Sequence, residues 1–210
     1  MRRYRRSIAN QGTAKHRRRL PLQLQRFVLR IDLADTHPPI WRRIESNSDL
    51  TLDKFHRVIQ TAFEWDDRHL HEFARVGPGR QPKVERFLMP YMIEEGDVGI
   101  AEATVRLGDV LTRPNDMLMY MYDFGDSWEH RICLKTVEGA SPEFPRVACT
   151  AGERAAPPED CGGVWGHQFM VEAGLDPKHP DHQEAAERNE WMFGDNATFD
   201  PEQFDLDRID

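Results

Sequence analysis

The sequence predicts an α+β fold: a mixed or antiparallel sheet with a helix packed across it, and further helices toward the C-terminus. Three observations carry this. Phe27, Leu29, Ile31 and Leu33 alternate with Val28, Arg30 and Asp32, the period of a strand with one covered face. Leu52, Phe55, Ile59, Ala62 and Phe63 recur at steps of three and four, the stripe of an amphipathic helix. The stretch Tyr122 to Cys133, YDFGDSWEHRIC, sets a glycine-containing loop between two apolar runs, the pattern of two paired strands.

Residues 1–21 lack periodicity and end at Pro21, so a disordered basic arm is expected there, followed by a single domain over 22–210. After the first strand, His37-Pro38-Pro39 makes a turn, and Ile40 to Glu45 returns as a second strand. Thr51 can cap the helix that follows, and Asp53 suits its positive end; the helix should stop near Glu64. His69 to Ala74 alternates again as a strand. Residues 75–100 read as a long loop with one short element near Arg86–Ile93, and Val105 to Leu111 as a short helix or turn.

Met117 to Phe124 is apolar throughout except for Asp123, which suits a central strand covered on both sides. Gly125 supplies the backbone freedom of a tight reversal. In the next strand Trp128, His130, Ile132 and Leu134 share one face, and Glu129, Arg131, Cys133 and Lys135 the other. Residues 138–163, with four prolines, read as loop. A helix from Val164 carries Trp165, Phe169 and Ala173 and is stopped by Gly174 and Pro177. A second starts at Pro180 and carries Ala185, Ala186 and Trp191. Phe199, Phe204 and Leu206 can anchor the tail. A hairpin followed by a crossing helix suggests a β-grasp-like topology.

The formal charge of −8 hides an asymmetry. Arg2, Arg3, Arg5, Arg6, Lys15, Arg17, Arg18 and Arg19 stand in residues 1–19 without an acid, while the rest holds 20 basic and 36 acidic groups. The longest apolar run, Met117 to Tyr122, is far too short to span a bilayer, and the arginines are not followed by the apolar segment of a secretory signal. Three sparse cysteines, Cys133, Cys149 and Cys161, argue against a disulfide framework, so a reducing cytoplasm is expected.

The runs PPIWRRIE, LTLDKFHRVIQTAFEWDDRHLHEF, YDFGDSWEHRI, GERAAPPEDCGGVWG and DPKHPDH, in this order, resemble the plasmid pRiA4b ORF-3-like family over roughly residues 24–206. The resemblance implies an α+β domain often found near mobile elements, some members being labelled resolvase-like. It carries no agreed activity. Many members have a cysteine where this chain has Ala156, which breaks a cysteine trio that would include that position.

The candidate polar cluster is His69, His71, Asp123, Asp126, Glu129 and His130. Carboxylates and imidazoles are ligands for a divalent metal and groups for acid–base work. The alternative is a turn in which Asp123 or Asp126 accepts backbone amides and Trp128 packs. Glu129 and His130, as strand neighbours, should face opposite ways. His69 and His71, two apart on a strand, should face the same way, and the three imidazoles converge if the strands adjoin. Cys149, Cys161, His179 and His182 have irregular spacing for zinc, and Cys161 before Gly162-Gly163 is a nucleophile only if a helix start lowers its pKa.

The leading expectation is a non-enzymatic binding or accessory module. It would present Trp128, Pro157, Pro158, Glu159, Asp160 and Trp165 to a protein partner. One alternative is a metal-dependent hydrolase, of nuclease or phosphoesterase type, using His71, Asp123, Asp126 and His130. The other is a nucleic-acid-binding accessory protein that neutralises phosphates with the arginine arm.

Overall fold

The computed structural model describes residues 24–77, 83–141, 143, 145–194 and 199–209. The basic arm, and with it the nucleic-acid contacts expected of residues 1–19, lies outside these residues. The strands are β1 (Gln25–Leu33), β2 (Trp41–Asn47), β3 (His71–Val76), β4 (Val84–Leu88), β5 (Ile100–Ala101), β6 (Met117–Tyr122), β7 (Trp128–Gly139) and β8 (Val147–Glu153). The helices are α1 (Leu52–Ala62), α2 (Pro90–Glu94), α3 (Leu107–Val110), α4 (Gly163–Leu175) and α5 (His182–Phe193). The fold is α+β, as expected.

One mixed sheet contains all the strands in the order β5-β4-β3-β6-β7-β1-β2-β8. Every pairing is antiparallel except β4 with β5. The hairpin β1–β2 and the crossing helix α1 are in place. The other neighbour of β1 is β7, antiparallel to it, with Leu33 opposite His130.

Alternation decides which face α1 covers. Phe27, Leu29, Ile31, Phe73, Leu118, Tyr120, Tyr122, Trp128, His130 and Ile132 are all buried beneath it. The helix reaches β3 through Phe55 against Phe73 and β6 through His56 and Gln60, which both bond the Tyr120 hydroxyl. β6 is covered on one face only: Leu118, Tyr120 and Tyr122 are buried, while Met117 is exposed and Met119 and Met121 half-buried. The methionines that made the run look buried on both sides are flexible, partly wetted side chains on the outer face.

Other local expectations shift for physical reasons. The Thr51 side chain makes no cap bond. Instead the segment after β5 docks on the helix start, and the Leu52 amide donates to the Val105 carbonyl at 2.9 Å. β3 begins at His71, so His69 belongs to the preceding loop. Gly125 is not the left-handed residue of its loop; Asp123 (φ 55°) and Ser127 (φ 58°) are. Residues 147–153, read as loop, form edge strand β8, whose run VACTAGE has too few large apolar residues to show a period. α4 ends at Leu175, one residue after Gly174, as expected.

At the β2 end of the sheet Arg42 is fully buried. Its Nε donates to the Ala62 carbonyl at 2.7 Å, and Nη1 to the carbonyls of Trp41 (2.9 Å) and Glu153 (3.1 Å). The guanidinium lies between the rings of Phe63 and Phe204. Burial lowers its pKa to about 10, so it stays charged at neutral pH. This one side chain ties α1, β2, β8 and the C-terminal segment together.

Replacing Arg42 leaves buried carbonyls without donors. Arg42→Met should therefore lower the unfolding free energy by about 3 kcal/mol, read from urea denaturation at pH 7.

Candidate functional site

Three loops meet at the end of the sheet where β6 passes into β7: residues 63–70 after α1, residues 123–127, and residues 154–162 ahead of α4. Strand register brings them together, since His71 opposes Tyr122 and Tyr122 opposes Trp128. Side chains then lock them. Trp65 donates its indole N–H to the Pro157 carbonyl at 2.8 Å and stacks on Tyr122 at 5.0 Å. The Tyr122 hydroxyl accepts the Arg68 amide (3.0 Å) and donates to Glu159. Burial, and next the Glu159 carboxylate, push the phenol's pKa upward. Glu159 also accepts the Asp66 amide at 3.1 Å. Asp126 accepts the Gly162 amide at 2.9 Å.

Of the six polar candidates, the loops bring two to one point, together with Asp160. His69 Nε2 lies 3.7 Å from Asp123 Oδ2 and 3.3 Å from Asp160 Oδ1. The other Asp123 oxygen accepts the Gly125 amide at 2.8 Å. So Asp123 takes both expected parts: it braces the turn with one oxygen and faces the imidazole with the other.

His71 belongs to a different, buried group. Its Nε2 is 3.0 Å from Glu102 Oε2, and its ring stacks on His56 at 3.5 Å. His56 lies 2.8 Å from both the Tyr120 hydroxyl and Asp67 Oδ1. Gln60 donates to that hydroxyl (3.0 Å), so the hydroxyl proton turns to His56 Nδ1 and His56 Nε2–H donates to Asp67. Burial, then the neighbouring His71, lowers the His56 pKa. Sequence reasoning passed over His56, Asp67 and Glu102. His56 had a signal: it falls four residues after Leu52, on the inward stripe of α1.

His130 does not join either group. It is enclosed by Phe63, Trp65 and Tyr120, and burial pushes its pKa down to about 3. Glu129 points from the opposite face of β7 toward Arg131, as the strand period requires. The condition for three imidazoles to converge is not met, because β6 lies between β3 and β7, and the hydrolase set of His71, Asp123, Asp126 and His130 is dispersed over three environments.

The expected partner surface divides. Trp128 is 1% exposed and belongs to the core; Pro157 is buried, and Pro158 and Glu159 are half-buried. Asp160 is exposed, and Trp165 is 82% exposed. Trp165 flanks a groove of about 710 Å³ lined also by His37, Asp126, Gly162, Gly163 and Gln168. Glycines fix this rim: a Cβ on Gly163 would meet the Asp126 carbonyl at 2.5 Å, and one on Gly166 the Cys161 carbonyl at 1.8 Å.

The structure lends no support to the two disfavoured cysteine readings. Burial raises the Cys161 thiol to about 12, the reverse of nucleophile activation. Among the described residues no metal-ligating group includes Cys149, Cys161, His179 or His182. His182 Nδ1 is instead 2.8 Å from the Ala173 carbonyl.

The sequence profile described as plasmid pRiA4b ORF-3-like protein matches residues 25–208. The chain is 35% identical over 161 residues to the uncharacterized protein y4hQ of Sinorhizobium fredii (strain NBRC 101917 / NGR234), covering 76% of this chain and 78% of that one. It is also similar to the crystal structure of a protein of unknown function, MM3350, from Methanosarcina mazei Go1. The TM-score is 0.74 at 33% identity, over 89% of this chain and 98% of that one. Among the described residues no helix is long and apolar enough to cross a membrane.

Two outcomes follow from this packing. Gly166→Ala forces the start of α4 away from Cys161 and should cost about 2 kcal/mol or more, read as a lowered Tm. His130 is held neutral in the fold but regains an ordinary pKa near 6.5 when unfolded. Its contribution is complete above that value and is lost as pH falls toward about 3. Stability should drop on acidification with a slope of up to about 1.4 kcal/mol per pH unit from this group. His130→Phe should flatten the slope by that amount in urea titrations between pH 6 and 4.

Proposed function

The chain belongs to the plasmid pRiA4b ORF-3-like family, and on that premise we propose that it is a binding module associated with mobile elements. It meets a protein partner through the groove beside Trp165. The observation that carries this reading is the indole itself: a tryptophan 82% exposed, at the rim of a groove whose backbone is fixed by glycine contacts. Large aromatic side chains held ready at a rigid rim are what anchors a protein interface, because little ordering is needed when they are covered. Phe124, on the neighbouring loop, is also 45% exposed.

Asp35 and Asp126 line the same groove, and the chain beyond residue 19 is strongly acidic, so the partner surface should be basic around an indole-sized pocket. The reading assigns the module to the cytoplasm, in keeping with three cysteines that form no disulfide among the described residues.

Affinity capture from host-cell extract with the full chain and with Trp165→Ala tests it. A protein should be retained by the wild-type chain at sub-micromolar affinity and lost, by about tenfold or more, with the variant. Equal recovery by both, with unchanged circular dichroism, sinks this reading. Turnover of a phosphodiester such as bis(p-nitrophenyl) phosphate would replace it with the hydrolase.

A further inference from the structure

We infer that His69, Asp123 and Asp160 form a site for a first-row divalent cation, Zn²⁺ in preference to Mn²⁺, open to solvent on the Asp160 side. Their three donor atoms lie within 4.8 Å of one another. The Nε2 of His69 is 3.7 Å and 3.3 Å from the two carboxylate oxygens. A tetrahedral ion with bonds of about 2.1 Å holds its ligands about 3.4 Å apart.

The second observation is that His69 Nε2 is shielded from solvent and has no hydrogen-bond partner, although two carboxylates flank it. The two buried imidazoles beside carboxylates close to hydrogen-bond contact, His56 to Asp67 at 2.8 Å and His71 to Glu102 at 3.0 Å, whereas the more exposed His179 stands 3.9 Å from Asp181. His69 does not close. The spacing is that of ligands arranged around a point between them; without an ion the shielded nitrogen makes no hydrogen bond and keeps only the two carboxylate oxygens at 3.3 and 3.7 Å.

The supports are those a metal site requires. Asp123 is oriented by the Gly125 amide on its far oxygen. The His69 ring is set edge-on against Tyr122 at 5.7 Å. Asp160 follows Glu159, which Tyr122 and the Asp66 amide hold in place. Each ligand comes from a different loop, so the ion would join all three. One imidazole with two carboxylates suits Zn²⁺ or Mn²⁺ and is poor for Mg²⁺. Three protein ligands leave a position for water or for an anionic group.

A second cluster, His56, Asp67 and His71, also has donor atoms within 4.8 Å. There the rings stack face to face at 3.5 Å with 6° between their planes, so their in-plane lone pairs lie in separate parallel planes and cannot both meet one ion. Both His56 nitrogens are already hydrogen-bonded. The inference is thus confined to the His69 corner, and it stands independently of the partner groove.

The test is titration of the chelator-stripped full chain with ZnCl₂ by calorimetry, alongside Co²⁺ followed by its visible absorption. The wild-type chain should bind about one equivalent at the site, with a rise in Tm on adding Zn²⁺. Asp160→Asn, an exposed change that leaves the core intact, and His69→Ala should each weaken binding by about tenfold or more and abolish the Tm rise. Asp67→Asn should leave both unchanged. Absence of heat and of a Co²⁺ band in the wild type overturns the site, as does binding that survives both ligand substitutions or is lost instead in Asp67→Asn.

Discussion

The hydroxyl of Tyr122 is the contact on which this corner of the protein depends. It stands at the end of β6, accepts the amide of Arg68 from one loop and donates to Glu159 of another, while its ring carries Trp65 on one face and meets His69 edge-on. A loop end is soft when its backbone groups are satisfied only by water. Here each of three loops spends polar groups on the other two, and the position of every candidate ligand follows. His69 comes next after Arg68; Asp123 next after Tyr122; Asp160 next after Glu159. The hydrogen bonds that set the hub therefore also set the His–Asp–Asp corner, one residue further along each strand of chain.

The region under α1 obeys the same rule in a dry setting. Arg42, His56 and His130 are polar side chains kept in an apolar layer, and each is resolved differently. Arg42 keeps its charge because main-chain carbonyls replace its water. His56 remains neutral within a relay of Gln60, Tyr120 and Asp67. His130 gives up its charge, since burial among aromatic rings outweighs its backbone contacts with Trp128 and Tyr120. Burial without a compensating partner shifts the proton off an imidazole, so the same residue type serves as a relay member, a core filler or a candidate ligand according to what faces it.

Membership of the plasmid pRiA4b ORF-3-like family joins this chain to relatives that share the fold at about a third identity. Trp165, in the first turn of α4, and the His69 corner both adjoin loops 123–127 and 154–162, which the hydrogen bond from Gly162 to Asp126 joins. A partner seated in the groove would press on the segment that carries Asp160. The proposed partner groove and the proposed cation site are in this way neighbours, and neither proposal requires the other.

Periodicity alone determined the hairpin, α1, the alternation of β7 and the paired strands around DFGDS, because a strand or helix with one buried face repeats its apolar residues at a fixed step. It also settled that Glu129 and His130 part company, since neighbours on a strand face opposite ways. It did not disclose β8, whose small residues leave no period, or the outward face of β6, where methionine hides the alternation. The site was legible only in part. His69 and Asp123 stood out by type, but Asp160 joins them through loop closure across 37 residues from Asp123 and 91 from His69. Left-handed backbone fell on Asp123 and Ser127 rather than on Gly125, because the carboxylate binds its own turn. Side-chain type is local information, whereas the meeting of three loops depends on strand order and on which buried polar groups must satisfy one another, and only the tertiary structure decides those.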